Sequence, residues 1–279
     1  MCIFSISAHA EIKKVKDTLA YLKYDKAYWQ VFIKQGDAAG KKISGSAYDK
    51  SIITWLQDGE NIFACGIQGE AEIINIKTGK SQPVTLPAKS INDAVISPDG
   101  KLILYSDIAK DATDNKLWLY EVASKISKPL FKNIQGRQYD PKWSVNGDSF
   151  YFVTGVANTS YQISQATLKN LQPRVVVHNT RYNLDVDESI NGKLTYSSNL
   201  KNSFDIWIKD GSKTTQLTKT EGSESHPNWS SDETHIYFEK LVDGVVNIWS
   251  VNVSDSEIKQ VTFSKAGARF PVVYKRWVK

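Results

Sequence analysis

The sequence predicts an all-β fold: a single six-bladed β-propeller with four strands in each blade. Three observations predict it. An internal repeat recurs with a period of 42 to 46 residues, each copy contains four short strand-like segments, and the first and last copies are incomplete in complementary ways. A repeat of roughly 40–50 residues with four strands per copy is typical of propellers, whose blades pack radially around a channel.

The third strand of each copy sets the register of the repeat. It carries a polar residue, then an aliphatic residue and often an aromatic one, as in Asn247-Ile248-Trp249. The aliphatic positions are Val31, Ile73, Leu117, Ile163, Ile206 and Ile248. Six copies at this spacing indicate six blades.

Turn residues and a closing strand complete the copies. A turn such as Asp99-Gly100 precedes an apolar second strand such as Ile103-Leu104-Tyr105. Gly is needed there because a tight hairpin places one residue at positive φ, and Asp or Asn tolerates the neighbouring position. A fourth strand of the Gln-Val-Thr type closes most copies, for example at Gln216-Leu217-Thr218 and Gln260-Val261-Thr262.

The two ends of the chain predict a composite blade. The first copy has no first strand; residues 19–22, 29–34 and 42–44 supply its second, third and fourth strands. Residues 269–274 look like an isolated first strand, because Phe270-Pro271 aligns with His226-Pro227. We expect the two ends to pair, which would close the ring and remove exposed strand edges.

Three first strands carry a recognisable motif. They read Ile96-Ser97-Pro98-Asp99-Gly100-Lys101, Pro141-Lys142-Trp143-Ser144-Val145-Asn146-Gly147 and Pro227-Asn228-Trp229-Ser230-Ser231-Asp232. These segments resemble the P-x-W-S-P-D-G-K core of the TolB-type, WD40-like (PD40) propeller repeat. The resemblance covers about residues 17 to 274 and is to the propeller domain alone. It implies a six-bladed propeller that docks a lipoprotein or another partner of the bacterial envelope.

Composition excludes some partners. The chain has 279 residues, with 35 Lys and Arg against 30 Asp and Glu, a net charge of +5. No cluster of four or more basic residues occurs, so nucleic-acid binding is not predicted. No stretch approaches the roughly 18 apolar residues that a membrane-spanning helix needs. We expect a monomer without a membrane span.

The N-terminus suggests export. Residues 1–10 are apolar and end in Ala8-His9-Ala10, which fits the A-x-A pattern of a signal-peptidase site. We interpret them as the clipped remnant of a secretory signal and residues 11–279 as the propeller, which predicts a periplasmic protein. A tail or a strand of the first blade is the alternative. Cleavage would leave Cys65 unpaired; it ends an apolar strand and is predicted to be a small core residue.

The sequence contains no catalytic motif that we could identify. It has no G-x-S-x-G elbow, no H-E-x-x-H and no paired C-x-x-C. The loop of residues 107–115 holds three Asp, but it lacks the spacing and the closing Glu of a calcium loop. We therefore predict a protein that is not an enzyme and needs neither a metal nor another cofactor.

Acidic residues alternate where the first strand of the fifth blade is predicted. Asp185 and Asp187 stand two apart and would share one face of that strand. Facing the channel, they would line it with carboxylates and offer a site for a cation. The alternative is a degenerate strand with one face in channel water, and nothing else in the sequence supports the cation.

One mouth of the channel is predicted to gather binding residues, because each blade-to-blade loop enters a first strand there. His226 precedes Pro227 at this point, and the equivalent pairs are Asn92-Asp93, Tyr139-Asp140, Tyr182-Asn183 and Arg269-Phe270. The candidate partner-binding residues are Asn92, Arg137, Tyr139, Asp140, Arg181, Tyr182, Ser225, His226, Arg269 and Phe270. Tyr and Arg are enriched at binding hot spots. The alternative is that some of these residues only cap loops.

The sequence thus predicts a non-catalytic periplasmic propeller that docks a protein or peptide at the channel mouth. The arginines would pair with carboxylates of the partner, and the aromatic residues would supply apolar contact area. Two alternatives stay open. One is a hydrolase, lyase or small-ligand-binding protein that uses the central channel, and the other is the sensor module of an envelope regulator.

Overall fold

The computed structural model describes residues 17–88, 90–108, 115–155 and 160–275. Their strands form six four-stranded antiparallel sheets, one for each blade. The predicted six-bladed β-propeller is therefore confirmed. The expected signal remnant, most of the three-Asp loop and residues 276–279 lie outside the described residues.

The blades are numbered along the chain and their strands are given from the channel outward. Blade 1 consists of β24 (Ala268–Val273), β1 (Thr18–Asp25), β2 (Tyr28–Gln35) and β3 (Lys41–Lys42). Blade 2 consists of β4 (Ile52–Trp55), β5 (Asn61–Cys65), β6 (Glu70–Asn75) and β7 (Ser81–Thr85). Blade 3 consists of β8 (Ile91–Ile96), β9 (Leu102–Asp107), β10 (Leu117–Glu121) and β11 (Ile126–Pro129).

The second half of the ring repeats this order. Blade 4 consists of β12 (Arg137–Trp143), β13 (Ser149–Gly155), β14 (Tyr161–Thr167) and β15 (Arg174–Val177). Blade 5 consists of β16 (Asn183–Glu188), β17 (Leu194–Lys201), β18 (Ser203–Asp210) and β19 (Lys213–Gln216). Blade 6 consists of β20 (Glu224–Trp229), β21 (His235–Val242), β22 (Val245–Asn252) and β23 (Ile258–Gln260).

The ring closes through the composite blade that the two ends predict. β24 pairs antiparallel with β1, with Val273 opposite Leu19 and Ala268 opposite Lys23. The innermost strands contact one another in the order β4, β8, β12, β16, β20, β24 and back to β4. The pairing covers the inner edge of β1, which would otherwise be exposed.

The tryptophans of the repeat join neighbouring blades. Trp55 Nε1 donates to the carbonyl oxygen of Val272 at 3.0 Å, and Trp143 Nε1 donates to that of Val95 at 3.2 Å. Each acceptor lies on the innermost strand of the preceding blade. Trp229, at the same repeat position, is buried with 1% of its surface exposed. The repeat motif thus places a large apolar ring at a blade interface, and in Trp55 and Trp143 the indole N–H also bonds to the neighbouring blade.

Leu217-Thr218 and Val261-Thr262, which are predicted to end the fourth strands of blades 5 and 6, lie just beyond them. β19 ends at Gln216 and β23 ends at Gln260. The reason is that the following threonines cap the third strand: Ile206 N donates to Thr218 Oγ1, and Ile248 N donates to Thr262 Oγ1, both at 2.8 Å. A side chain here replaces the backbone acceptor that a longer fourth strand would supply.

Cys65 is a core residue, as predicted. It is fully buried at the end of β5 and has no disulfide partner among the described residues. Burial raises the pKa of its thiol to about 12, which keeps it protonated and unreactive. Among the described residues we find no helix with the length and apolar character needed to cross a membrane.

Candidate functional site: the channel and its mouth

The pairing register shifts at the mouth of the channel in five innermost strands, β8, β12, β16, β20 and β24. In four of them, β12, β16, β20 and β24, the bulge places a residue at positive φ. The bulged residues Asp140, Asp185, His226 and Phe270 have φ between 49° and 57°, in the left-handed region that non-glycine residues seldom adopt. A proline follows three of the four, where the bulge leaves no ladder partner that needs an N–H.

Carboxylates satisfy the backbone N–H groups that these bulges release. Asp140 N donates to Asp93 Oδ2 at 3.0 Å, and Asp185 N donates to Asp140 Oδ2 at 2.6 Å. His226 N donates to Asp185 Oδ2 at 3.2 Å. Each carboxylate belongs to the preceding blade, so this series of hydrogen bonds ties blades 3, 4, 5 and 6 together around the channel.

Glu239 extends the series from blade 6 to blade 1. Phe270 N donates to Glu239 Oε1 at 2.6 Å. The imidazole of His226 lies between two carboxylates, with Nδ1 3.2 Å from Glu239 Oε1 and Nε2 3.5 Å from Asp185 Oδ1. Burial lowers the pKa of His226, but the negative charges of Asp185 and Glu239 outweigh it and raise this pKa to about 10. His226 is therefore an imidazolium at neutral pH.

Burial and repulsion between neighbouring carboxylates also keep one carboxyl group of this series protonated at neutral pH. Burial, with the charges of Asp185 and Asp93, raises the pKa of Asp140 to about 8. Glu239 behaves oppositely: burial raises its pKa, but contact with the charged His226 outweighs this and lowers it. Asp140, Asp185, His226 and Phe270 line a cavity of about 40 Å³, which has room for water but not for a metabolite.

The other end of the channel is closed by an ion cluster around Asp187. Lys142 Nζ lies 3.2 Å from Asp187 Oδ1, and Lys275 Nζ contacts Asp187 Oδ2. Lys275 follows β24 of blade 1 and reaches across to blade 5, where it also donates to the carbonyl oxygen of Glu188 at 2.6 Å. Burial raises the pKa of Asp187, but Lys275 and Lys142 outweigh it and hold this pKa below its usual range. Asp187 is therefore part of the structural closure of the ring.

The arginines at the mouth, unlike Lys142 and Lys275, do not neutralise a carboxylate of the protein among the described residues. Among the described residues, Arg137, Arg181 and Arg269 form no ion pair with a carboxylate. The guanidinium of Arg269 lies 4.0 Å over the ring of Trp29, and its Nη2 donates to the carbonyl oxygen of Lys50 at 3.4 Å. The Nε atoms of Arg137 and Arg269 are buried without an acceptor in the described part of the chain, so an external acceptor has to reach the terminal Nη groups of these two half-buried residues or the exposed Arg181.

Aromatic rings lie beside Arg137 on blades 4 and 5. Tyr161 is at the centre: its ring is 5.6 Å from that of Tyr139 and 4.7 Å from that of Tyr182, centroid to centroid. Its hydroxyl accepts a hydrogen bond from Arg137 Nη1 at 3.1 Å. The structure thus brings together Arg137, Tyr139 and Tyr182 from the predicted set. Arg181, exposed, stands next to Tyr182 in the chain.

Two further predicted residues have local roles. Asn92 is exposed, and its side-chain amide donates to the adjacent Asp93 carboxylate. Ser225 Oγ lies 3.5 Å from Glu239 Oε2, beside the His226 contact. Both residues contact carboxylates of the hydrogen-bonded series, Asp93 and Glu239. This matches the alternative in which some of the predicted residues only cap loops.

The predicted register of the fifth blade was wrong by two residues. The sequence predicts Tyr182-Asn183 as the equivalent of Tyr139-Asp140, but the bulge and the N–H donor occur at Asp185. Val186 follows this bulge, where β12, β20 and β24 have proline, so the sequence marker is missing. Asn183 is fully buried and its amide donates to the carbonyl oxygen of Tyr161 at 2.8 Å, which ties blade 5 to blade 4.

Several residues that shape the mouth were missed in the sequence. Asp93 appeared only as the companion of Asn92, while Trp29, Tyr161 and Glu239 were not singled out. Trp29 and Tyr161 lie at the start of third strands, and Glu239 lies near the end of a second strand. Both positions come to the same mouth as the start of the first strand, because neighbouring strands in a blade are antiparallel. The alternating direction of the strands was therefore the signal in the sequence that could have identified these residues as part of the mouth.

The described residues do not form a metal site. No group of three or more His, Cys, Asp or Glu side chains in this part of the chain is arranged to hold an ion. Asp185, which was considered for a cation, instead accepts a hydrogen bond from Ser197 Oγ at 2.7 Å and contacts His226. Its carboxylate is thus occupied within the protein.

Comparison with known proteins identifies the fold. No family model matches the chain. A curated relative, an uncharacterized protein of Agrobacterium fabrum, is 26% identical over 180 residues, covering 64% of this chain and 46% of the relative. The chain thus spans about half the length of the curated relative it matches.

Solved structures give a longer match at low identity. TolB from Acinetobacter baumannii superposes with a TM-score of 0.80 at 16% identity, over 93% of this chain and 67% of that chain. An oligogalacturonate lyase from Vibrio parahaemolyticus superposes with a TM-score of 0.60 at 11% identity, over 86% of this chain and 87% of that chain. In its fold, this chain is a TolB-like six-bladed β-propeller.

Proposed function

We propose that this chain is a non-catalytic docking propeller of the bacterial periplasm, which binds an acidic segment of a protein partner at the channel mouth. The observation that carries the proposal is the contrast between the two kinds of charge there. The carboxylates Asp93, Asp140 and Asp185 accept hydrogen bonds from neighbouring blades, whereas Arg137, Arg181 and Arg269 have no described carboxylate partner. The arginines at the mouth can therefore pair with anionic groups of a partner.

Apolar contact area supports the same proposal. Tyr139, Tyr161 and Tyr182 form a continuous group of rings beside Arg137, and the Phe270 ring packs at a tilt against His226 with 4.9 Å between ring centroids. Arg and Tyr together are the residue types that dominate binding energies at protein interfaces. The cavity behind them is small, about 40 Å³, so a partner would bind on the mouth and not inside the channel. The signal-like start of the sequence is what supports the periplasm.

The test is a crosslinking pull-down from bacterial envelope extract with wild type and the triple variant Arg137→Ala, Arg181→Ala, Arg269→Ala. We expect wild type to capture a discrete partner and the variant to lose it by at least about tenfold, because each arginine contributes a charge-assisted hydrogen bond. The measurement is the partner band quantified against input, with circular dichroism to show that the variant is folded.

The matched control removes the same charge elsewhere. The side chains of Lys77, Lys101 and Lys259 are exposed by 68%, 79% and 67%. Lys77 and Lys101 lie on hairpins at the other face, and Lys259 lies on β23, the outermost strand of blade 6. Their triple alanine variant should capture the partner like wild type. Equal capture by both triple variants would contradict docking through the arginines, and loss in both would indicate only a general charge effect.

A second candidate is a lyase or hydrolase that acts in the channel. It is supported by the fold similarity to the oligogalacturonate lyase and by His226 standing between two carboxylates at the entrance. A UV assay for unsaturated products from pectic oligosaccharides, with wild type and His226→Gln, tests it. Turnover by wild type that His226→Gln abolishes would favour this candidate over docking.

A further inference from the structure

Large apolar side chains are exposed on the mouth face over blades 6 and 1. Leu241 and Val242, at the tip of the β21–β22 hairpin, are exposed by 46% and 39%. Phe263, in the loop from β23 to β24, is exposed by 78%. Tyr24 and Tyr28, at the tip of the β1–β2 hairpin, are exposed by 37% and 36%. We call these five residues the apolar rim.

The apolar rim is held as one surface by the loop that carries Phe263. Ser264 N donates to Asn247 Oδ1 at 2.9 Å, and Asn247 Nδ2 donates to the carbonyl oxygen of Ser264 at 3.1 Å. On the other side, Tyr24 N donates to the carbonyl oxygen of Gly267 at 3.4 Å. The loop is thus fixed between the two hairpins, and Phe263 is exposed although its backbone is anchored.

A cation joins the apolar rim to the channel entrance. The ring of Tyr24 meets Trp29 edge-on at 5.7 Å, and the guanidinium of Arg269 lies over Trp29. The next residue, Phe270, packs against His226 at the entrance. Ring and cation contacts therefore lead from Tyr24 in the apolar rim, past a guanidinium that has no carboxylate partner among the described residues, to the mouth.

Solvent-exposed hairpin tips do not need apolar residues. The β21–β22 turn is formed by Asp243 and Gly244, both at positive φ, and polar residues before and after it would fold equally well. Exposed apolar surface of this kind marks an interaction site. The arrangement here adds the guanidinium of Arg269 at its inner edge, a cation that has no carboxylate ion pair among the described residues, and this favours an acidic group in the segment that binds.

We propose that the apolar rim is the part of the docking surface that selects the partner. It binds an extended segment in which an Asp or Glu is adjoined by large apolar residues. The carboxylate pairs with the terminal Nη groups of Arg269, which is half-buried, lies over Trp29 and has no carboxylate ion pair among the described residues. The apolar residues pack on Phe263, Leu241 and Tyr28. This inference rests on the proposed docking function and names the class of segment that the same mouth recognises.

The test is selection from a displayed library of short random peptides on the immobilised wild-type chain. We expect enriched peptides to combine an acidic residue with large apolar residues. Their affinities, measured by fluorescence polarisation, should fall at least about tenfold in Leu241→Ser, Phe263→Ser. The matched control, Ile126→Ser, removes a side chain that is exposed by 64% on the outer strand of blade 3, and it should leave the affinities unchanged.

Other results separate this inference from the proposed function. Peptides that lose binding in the arginine triple variant but not in the rim variant would overturn the rim and leave docking at the mouth intact. Enriched peptides without the acidic and apolar combination, or no enrichment, would also overturn it. Wild type that dimerises with concentration in sedimentation, when the rim variant does not, would make the rim a self-association surface instead.

Discussion

Replacing Asp187 by alanine is expected to lower the free energy of unfolding by about 3–5 kcal/mol. The carboxylate is almost fully buried and is the shared partner of Lys142 and Lys275. Without it, two ammonium groups stay in the closed end of the channel with no counter-charge, and Trp229 N loses the acceptor that lies 2.9 Å away. Urea denaturation at neutral pH, followed by tryptophan fluorescence, measures the change.

Two further variants show whether the buried charge is the cause. Asp187→Leu combined with Lys275→Met should recover much of the loss, because an apolar pair of similar volume avoids the desolvation of both ions. Glu60→Ala breaks the exposed pair with Lys77 and should cost less than about 1 kcal/mol. If Asp187→Ala costs no more than Glu60→Ala, Lys275 does not hold the ring closed as the structure indicates.

Most of the fold could be predicted from the sequence because each copy of the repeat contains residues that determine the local backbone structure. Asp-Gly and Asn-Gly pairs make tight turns, and the alternation of aromatic and β-branched residues makes strands. The composite blade could also be predicted, since Phe270-Pro271 carries the same bulge-and-proline signature as His226-Pro227. Where that signature is absent, at Asp185-Val186, the predicted register was wrong.

The candidate site was harder to predict because it is made by contacts between blades. The sequence marked Asp185 and Asp187 as a pair on one strand, and they do lie on β16. Their different roles depend on residues distant in the chain: His226 contacts Asp185, whereas Lys275 contacts Asp187. Nothing local to residues 185–187 indicates those partners. The same holds for Glu239, whose acceptor role appears only when blade 1 is placed beside blade 6.

Asp140→Asn is expected to stabilise the protein by up to about 5 kcal/mol near pH 8.5, and to make its stability fall less steeply with pH between pH 5 and 8. Burial and the charges of Asp185 and Asp93 raise the pKa of Asp140 from 3.8 to about 8. For a carboxyl group with a raised pKa in the folded state, the folded state binds the proton more tightly than the unfolded state. Its contribution is therefore fully present below the unfolded value and is lost as the pH rises to about 8.

The side-chain amide that Asp140→Asn introduces keeps the hydrogen bond that the wild-type carboxyl group makes and removes the buried negative charge that opposes folding. Asn can still accept the hydrogen bond from Asp185 N, and its NH₂ can donate to a neighbouring carboxylate, but it carries no charge at any pH. His226, whose pKa is raised from 6.5 to about 10, supplies a separate decline in stability between those two values that Asp140→Asn should leave in place. Urea midpoints from pH 5 to 9 distinguish the two slopes, and Asp37→Asn, at an exposed carboxylate, is the control that should follow wild type throughout. A variant that declines with pH as steeply as wild type between pH 5 and 8 would mean that the carboxylates at the mouth share no proton, and that bound water or an ion compensates their charge.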